Sequence, residues 1–216
     1  MIVAIDGPAG SGKGTVAKKL STLCNLTYID TGATYRALTL KVIQNNIEID
    51  DKNAIIDIAS KIDVKFTKDA HTILDGVDVS DSIRTMEVSK YASIISSIPE
   101  VRRLMVDLQR SMASDDDIIM EGRDITTVVF PNAEYKIYLD ANVDVRSKRR
   151  YLQNKEMGIE SDIDSIKKSI IERDYNDMHK EVGSLTRTDD QVYIDTSDMT
   201  VDEVVDEIRK VIKRWI

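Results

Sequence analysis

The feature that most constrains this chain lies in its first fifteen residues. A short apolar run, Ile2-Val3-Ala4-Ile5-Asp6, is followed at once by Gly7-Pro8-Ala9-Gly10-Ser11-Gly12-Lys13-Gly14-Thr15. The spacing is G-x-x-x-x-G-K, and a helical pattern starts at about Lys13. Strand, glycine loop and helix in direct succession wrap the backbone inward, so that successive N–H groups converge on one point where oxyanions can sit. The helix N-terminus adds partial positive charge there. Lys13 adds a mobile full charge suited to β- and γ-phosphates. A glycine-rich turn that only joins strand to helix would need neither the lysine nor glycines at 7, 10, 12 and 14. The position after Lys13, where Ser or Thr commonly holds Mg²⁺, is Gly14, and the hydroxyl comes one residue later at Thr15. Magnesium is therefore expected to be held mainly by phosphates and water.

Four more short apolar runs follow: Thr27-Tyr28-Ile29, Ile118-Ile119-Met120, Tyr135 to Leu139, and Val192-Tyr193-Ile194. Including the first, each run is closed by an acid: Asp6, Asp30, Glu121, Asp140 and Asp195. Brief apolar runs separated by helical stretches read as strands buried on both faces of a parallel sheet. Ligands bind such sheets beyond the carboxyl ends of the strands, so the five acids point to the functional rim, or else cap the next helices. Val101, Leu104, Met105, Leu108 and Met112 predict one apolar helix stripe, begun at Pro99. Thr200-x-x-Glu203 reads as a capping box before a buried face of Val201, Val204, Val205, Ile208, Val211, Ile212 and Trp215. Residues 62–80 break this alternation with a period of two around Asp75-Gly76, which predicts a small antiparallel insertion.

Charge narrows the ligand class. The 216 residues carry 30 Lys+Arg against 38 Asp+Glu, a formal net charge of −8. That balance argues against a nucleic-acid polymer as partner, so any smaller polyanion must meet a local cluster of cations. One cysteine, Cys24, excludes an intrachain disulfide and fits a reducing compartment. No signal peptide or membrane span is read from the sequence, and a cytoplasmic location is expected.

Three groups of residues could supply the cations. Asp30-Thr31-Gly32-Ala33-Thr34-Tyr35-Arg36 follows the second strand, where Arg36 would either clamp a phosphate or sit in a surface ion pair. Glu121-Gly122-Arg123-Asp124 follows the third, where Asp124 could accept from an exocyclic amine or cap a helix. Arg146, Lys148, Arg149, Arg150 and Lys155 fall just after the fourth strand, with Arg146, Arg149 and Arg150 on one helix face. A transferring phosphoryl group needs several such charges, which favours function over a solvated surface there. Arg173, Asp177 and Lys180 are predicted to share a helix face and, taken alone, read as a surface ion-pair set. His71 and His179 show no metal spacing and take no role.

Taken in order, these motifs, with Ile83-Arg84-Thr85…Val88-Ser89 and Thr127-Val128-Val129-Phe130-Pro131, resemble the bacterial cytidylate kinase family across nearly the whole chain. The resemblance implies an α/β P-loop kinase fold in one domain, residues 1–216. Its five-stranded parallel sheet would have the order 2-3-1-4-5, flanked by helices. It would carry a small β insertion at 62–84 on the nucleoside-monophosphate side and a short lid at about 146–160. It also implies ATP on Gly7 to Thr15, and CMP, with dCMP, on Thr31, Arg36, Ser93, Arg102, Arg123, Asp124, Arg173, Asp177 and Lys180. Of these, Ser93, Arg102, Arg123 and Asp124 would read the base. Arg36 and Arg123 would help hold phosphate, and Arg173 and Asp177 would face phosphate and ribose. Lys13, Arg146, Arg149 and Arg150 would be the catalytic cations. Mg²⁺ would come with ATP, without a direct protein ligand, and Glu121 would reach it through water. Three positions depart from the family pattern: Glu121 for a usual Asp, Thr126 for a usual Gly, and Lys180 for a usual Arg. The chain is expected to act as a monomer.

Overall fold

The computed structural model describes residues 1–67, 69–113 and 117–212. The chain opens with β1 (Ile2–Asp6), α1 (Lys13–Cys24), β2 (Thr27–Asp30), α2 (Thr31–Gln44) and α3 (Lys52–Ala59). The insertion follows as β3 (Val64–Phe66), β4 (Thr72–Leu74) and β5 (Val77–Asp78), then α4 (Met86–Ile95) and α5 (Pro99–Ser111). The remainder is β6 (Ile118–Gly122), β7 (Tyr135–Asp140), α6 (Val143–Glu156), α7 (Ile163–Met178), β8 (Val192–Asp195) and α8 (Val201–Val211). All five apolar runs are strands, and the main sheet has the order β2-β6-β1-β7-β8. Counted among the sheet strands alone, that is the expected 2-3-1-4-5. Val3 lies opposite Tyr135 and Ile137 opposite Val192 in parallel register. The chain divides into two compact units, Met1–Leu26 with Ile119–Ile216, and Thr27–Ile118.

In the first unit the interiors of β1, β6 and β7 are covered on both faces, whereas β8, the edge strand, buries only Ile194 and leaves Val192, Tyr193 and Asp195 exposed, against the expectation for its run. Val3, Ala4, Ile5, Ile119, Met120, Ile137 and Leu139 are all fully buried, as strands covered on both sides require. Helix α1 packs against α8, whose start carries the expected capping box between Thr200 and Glu203. Val204, Val205, Ile208 and Ile212 are buried there, whereas Val201 in the first turn is exposed; Trp215 lies outside the described residues. Helices α6 and α7 pack against each other.

In the second unit α2 is the centre. Asp30 caps it by accepting from the Ala33 N–H at 2.9 Å. Ala33, Ala37 and Leu40 join Val64, Leu74 and Val79 of the insertion in one apolar cluster. Leu38 and Val42 pack with Ile55, Ile95, Val101 and Met105 in another. Helix α5 starts at Pro99 in its first turn, and Leu104 and Leu108 fill the edge of the stripe. The insertion is antiparallel as expected. The Asp75-Gly76 turn has φ of 48° and 84°, the left-handed pair that a tight hairpin demands. No helix among the described residues is long and apolar enough to cross a membrane.

Candidate active site

The glycine loop closes as its spacing predicts. Gly7, Gly10 and Gly12 all have positive φ. A Cβ on Gly7 would stand 1.9 Å from the Leu139 carbonyl oxygen, and one on Gly10 would stand 3.2 Å from Cβ of Arg146. The loop is thus pressed between the end of β7 and the start of α6, and glycine at 7 is a steric requirement. Gly12 caps α1 in the left-handed conformation. Lys13 follows it and is buried, with Nζ donating to the Pro8 carbonyl at 2.8 Å. Burial, reinforced by Arg123 and opposed by Glu121 and Asp6, pulls the Lys13 ammonium down to about 7. Ser11 is buried as well, and Thr15 is exposed on the first turn of α1.

Asp6 ends β1 and is fully buried. Its two oxygens accept from the Ile125 and Thr126 N–H groups at 2.8 Å each, and from the Thr126 hydroxyl at 2.6 Å. Burial raises its carboxyl despite those bonds. The contacts fix the chain just past Glu121-Gly122-Arg123-Asp124, where Ile125–Val129 forms one π-helical turn. Asp124 is buried at the start of that turn without capping it by its side chain.

Arg123 is joined to α7. Its Nε donates to Asp177 Oδ2 at 2.8 Å, Lys180 Nζ stands 3.1 Å from the other oxygen, and Arg173 Nε is 4.0 Å away. Burial alone would raise the Asp177 carboxyl, but Arg123, Lys180 and Arg173 outweigh it and hold it at about 2. One correction concerns Lys180: α7 ends at Met178, so Lys180 shares no helix face with Arg173 and Asp177 and reaches Asp177 from beyond the helix end.

The three arginines of α6 have different surroundings. Arg146 is buried, donates to the Ala141 and Ala9 carbonyls at 2.8 and 3.0 Å, and pairs with Asp174 at 2.6 Å. Arg149 is half-buried and donates to the hydroxyl and carbonyl of Thr196 at 3.0 and 2.6 Å. Arg150 is exposed, and its Nη1 meets Gln153 at 3.1 Å.

The family model described as cytidylate kinase matches residues 3–214. The chain belongs to the cytidylate kinase family. It is 46% identical to the cytidylate kinase of Alkaliphilus oremlandii (strain OhILAs) over 98% of this chain and 97% of that one. It is 43% identical to that of Caldanaerobacter subterraneus subsp. tengcongensis, covering 98% and 94%. Among solved structures it resembles a shikimate kinase from Bacteroides thetaiotaomicron at a TM-score of 0.50, with 10% identity, covering 99% of this chain and 98% of that one. That likeness concerns the fold.

Thr126 has a visible partner set. Its hydroxyl donates to Asp6 and accepts from Gln191 Nε2, and its backbone keeps a negative φ. In the second unit, Thr31 and Arg102 are buried and Ser93 is exposed. Arg36 pairs with Asp30 at 2.8 Å, and Arg102 lies over the Tyr35 ring, 5.8 Å from its centroid. Among the described residues no three acidic, Cys or His side chains cluster as a metal site. Asp6 is fully engaged, Glu121 is half-buried, and no hydroxyl follows Lys13 directly. This donor set fits a Mg²⁺ that enters on the nucleotide. Sequence reasoning missed Asp174 and Thr196. Thr196 follows the acid that closes β8, so the strand-end rule would have found it one residue further on. Asp174 stands three residues before Asp177 on α7, a spacing that places both on one face.

Proposed function

We propose that this chain transfers the γ-phosphoryl group of ATP to CMP, giving ADP and CDP, and that it accepts dCMP too. The observation that carries the reading is that the family match spans a glycine loop whose lysine is buried and anchored. The attacking atom is a phosphate oxygen of CMP, already ionised at neutral pH, so no general base is required. Lys13 addresses the β- and γ-phosphates, and the loop N–H groups from Gly7 to Thr15 hold the ATP polyphosphate. A Mg²⁺ entering with ATP would neutralise developing phosphate charge, and Glu121 would be the carboxylate that helps to hold it, through water. Arg146, Arg149 and Arg150 belong to a lid at about 146–160 that excludes water, whose attack would waste ATP.

For the acceptor, Arg123 and Asp124 face the base and phosphate, ordered by the bond that Arg123 donates to Asp177 and the one that the neighbouring Ile125 N–H donates to Asp6. Arg173, Asp177 and Lys180 complete that side. Thr31, Arg36, Ser93 and Arg102, in the unit that carries the 62–84 insertion, are assigned to CMP by the family pattern. The chain is taken to work as a monomer in the cytoplasm; its free, buried Cys24 fits the reducing compartment.

The test is ADP release measured with CMP, dCMP, UMP, AMP and no acceptor. Rapid release with CMP and dCMP alone is expected. Preference for UMP or AMP would assign another acceptor, and release indifferent to acceptor would leave only a nucleotide-binding module.

A further inference from the structure

Thr196, the residue just past β8, is 2% exposed and stands where three parts of the first unit meet. Its N–H donates to the Asp140 carbonyl at 2.8 Å, tying it to the end of β7. Its hydroxyl lies 2.9 Å from that same carbonyl and 3.0 Å from the carbonyl of Ser11 in the phosphate loop. The same oxygen accepts from Arg149 Nη1 at 3.0 Å, while the Thr196 carbonyl accepts from Nη2 at 2.6 Å. A hydroxyl has one proton and two lone pairs, so it can donate to a loop carbonyl and still accept from the guanidinium. The fork of Arg149 is thereby fixed in two directions, and its Nη1 lies 3.9 Å from where a Cβ on Gly12 would stand.

We propose that Thr196 is a positioning residue for phosphoryl transfer: its hydroxyl registers the Arg149 guanidinium against the phosphate loop. It acts through Arg149 and the Ser11 carbonyl. A purely structural role would need only the backbone bond to Asp140, which any residue makes. Beyond Asp140, the hydroxyl also reaches a phosphate-loop carbonyl and an arginine of the catalytic set. Burial lowers the Arg149 guanidinium, with Asp195 opposing that shift. A misplaced Arg149 therefore has reason to turn out toward water.

This inference rests on the kinase reading above, and wild-type protein tests that reading first through CMP-dependent ADP release. Thr196→Val keeps the shape and the backbone bonds but removes the hydroxyl, and Thr196→Ser restores it. Thr196→Val should lower kcat/KM for ATP about tenfold or more, the scale of a lost hydrogen bond to a charged group. KM for CMP should move less than twofold, and Thr196→Ser should recover most of the loss. In an Arg149→Ala background Thr196→Val should cost little more, because the two act as one unit. Wild-type kinetics in Thr196→Val, or losses that simply add to those of Arg149→Ala, would overturn the proposal. If Thr196→Val does not fold, Thr196→Ala decides by the same measurements.

Discussion

Among the described residues, buried charge is distributed very unevenly between the two units. Asp6, Lys13, Asp124, Arg146, Asp174 and Asp177 are all buried in the first, whereas Arg102 is the one buried charged residue of the second. The second unit is organised by two apolar clusters around α2. In the first, charged groups bond to one another and to backbone at the ends of β1, β6 and β7. The contrast teaches where function and stability should be coupled. A buried charge of the first unit that pairs with another buried charge, as Arg146 does with Asp174, cannot be removed without stranding its partner, so there the fold and the chemistry suffer together. A candidate residue removed from the second should change binding and leave the apolar clusters alone.

Lys13→Ala is the largest test of this contrast. Loss of a full charge at the transferring phosphate should lower kcat by roughly 10³-fold, at the upper end for removal of one stabilising group. Circular dichroism should still show the wild-type fold. A near-normal kcat would remove the glycine loop from the chemistry. Next come two arginines one turn apart on α6. Arg146→Ala leaves Asp174 buried without its partner, so it should cost about 3 kcal/mol in urea unfolding and lower turnover as well. Arg150→Ala, on an exposed side chain, should lower turnover by about 10²-fold with stability unchanged to within about 0.5 kcal/mol. Equal stability losses in the two variants would break the distinction between them.

Asp177 supplies a pH test of intermediate size. Its carboxyl is held at about 2, below its ordinary 3.8, so the ionised form is the one the fold favours. The stabilisation is fully present above pH 4 and disappears as pH falls from about 4 to 2, and it amounts to about 2 kcal/mol. Asp177→Asn should therefore be less stable than wild type at pH 6, and the gap should close toward pH 2. A gap that stays constant with pH would mean that the ion pairs with Arg123 and Lys180 contribute nothing.

How far the sequence reached differs from one strand-closing acid to the next. The five strands were legible because each is a short apolar run closed by an acid, whereas their order was implied by the family resemblance alone. What each acid does was not legible. Asp30 caps α2 through a residue three positions on, which is local and readable. Asp6 is consumed by N–H groups of Ile125 and Thr126, about 120 positions away, and no local pattern announces that. The arginine cluster of α6 was readable as charge. Which member is buried depends on how that helix meets Gly10. Lys180 was misplaced because i, i+4, i+7 spacing was extended past a helix that ends at Met178.

The smallest predicted effect belongs to the second unit and sharpens the comparison from the other side. Arg36 meets Asp30 at 2.8 Å, with both side chains about one-fifth exposed (23% and 21%). Arg36→Ala leaves Asp30 with its bond to the Ala33 N–H at the positive end of α2, so the orphaned carboxylate remains stabilised. Unfolding should therefore shift by less than about 1 kcal/mol. KM for CMP should rise about tenfold, the loss of one charge-assisted phosphate contact, with KM for ATP unchanged. Gly32→Ala offers a milder version, because its new Cβ would stand 2.8 Å from Arg36 Nη1 and push that flexible tip aside. It should raise KM for CMP less than Arg36→Ala does. A large stability loss in Arg36→Ala would show that the second unit also relies on its ion pairs, and the contrast between the units would then fail.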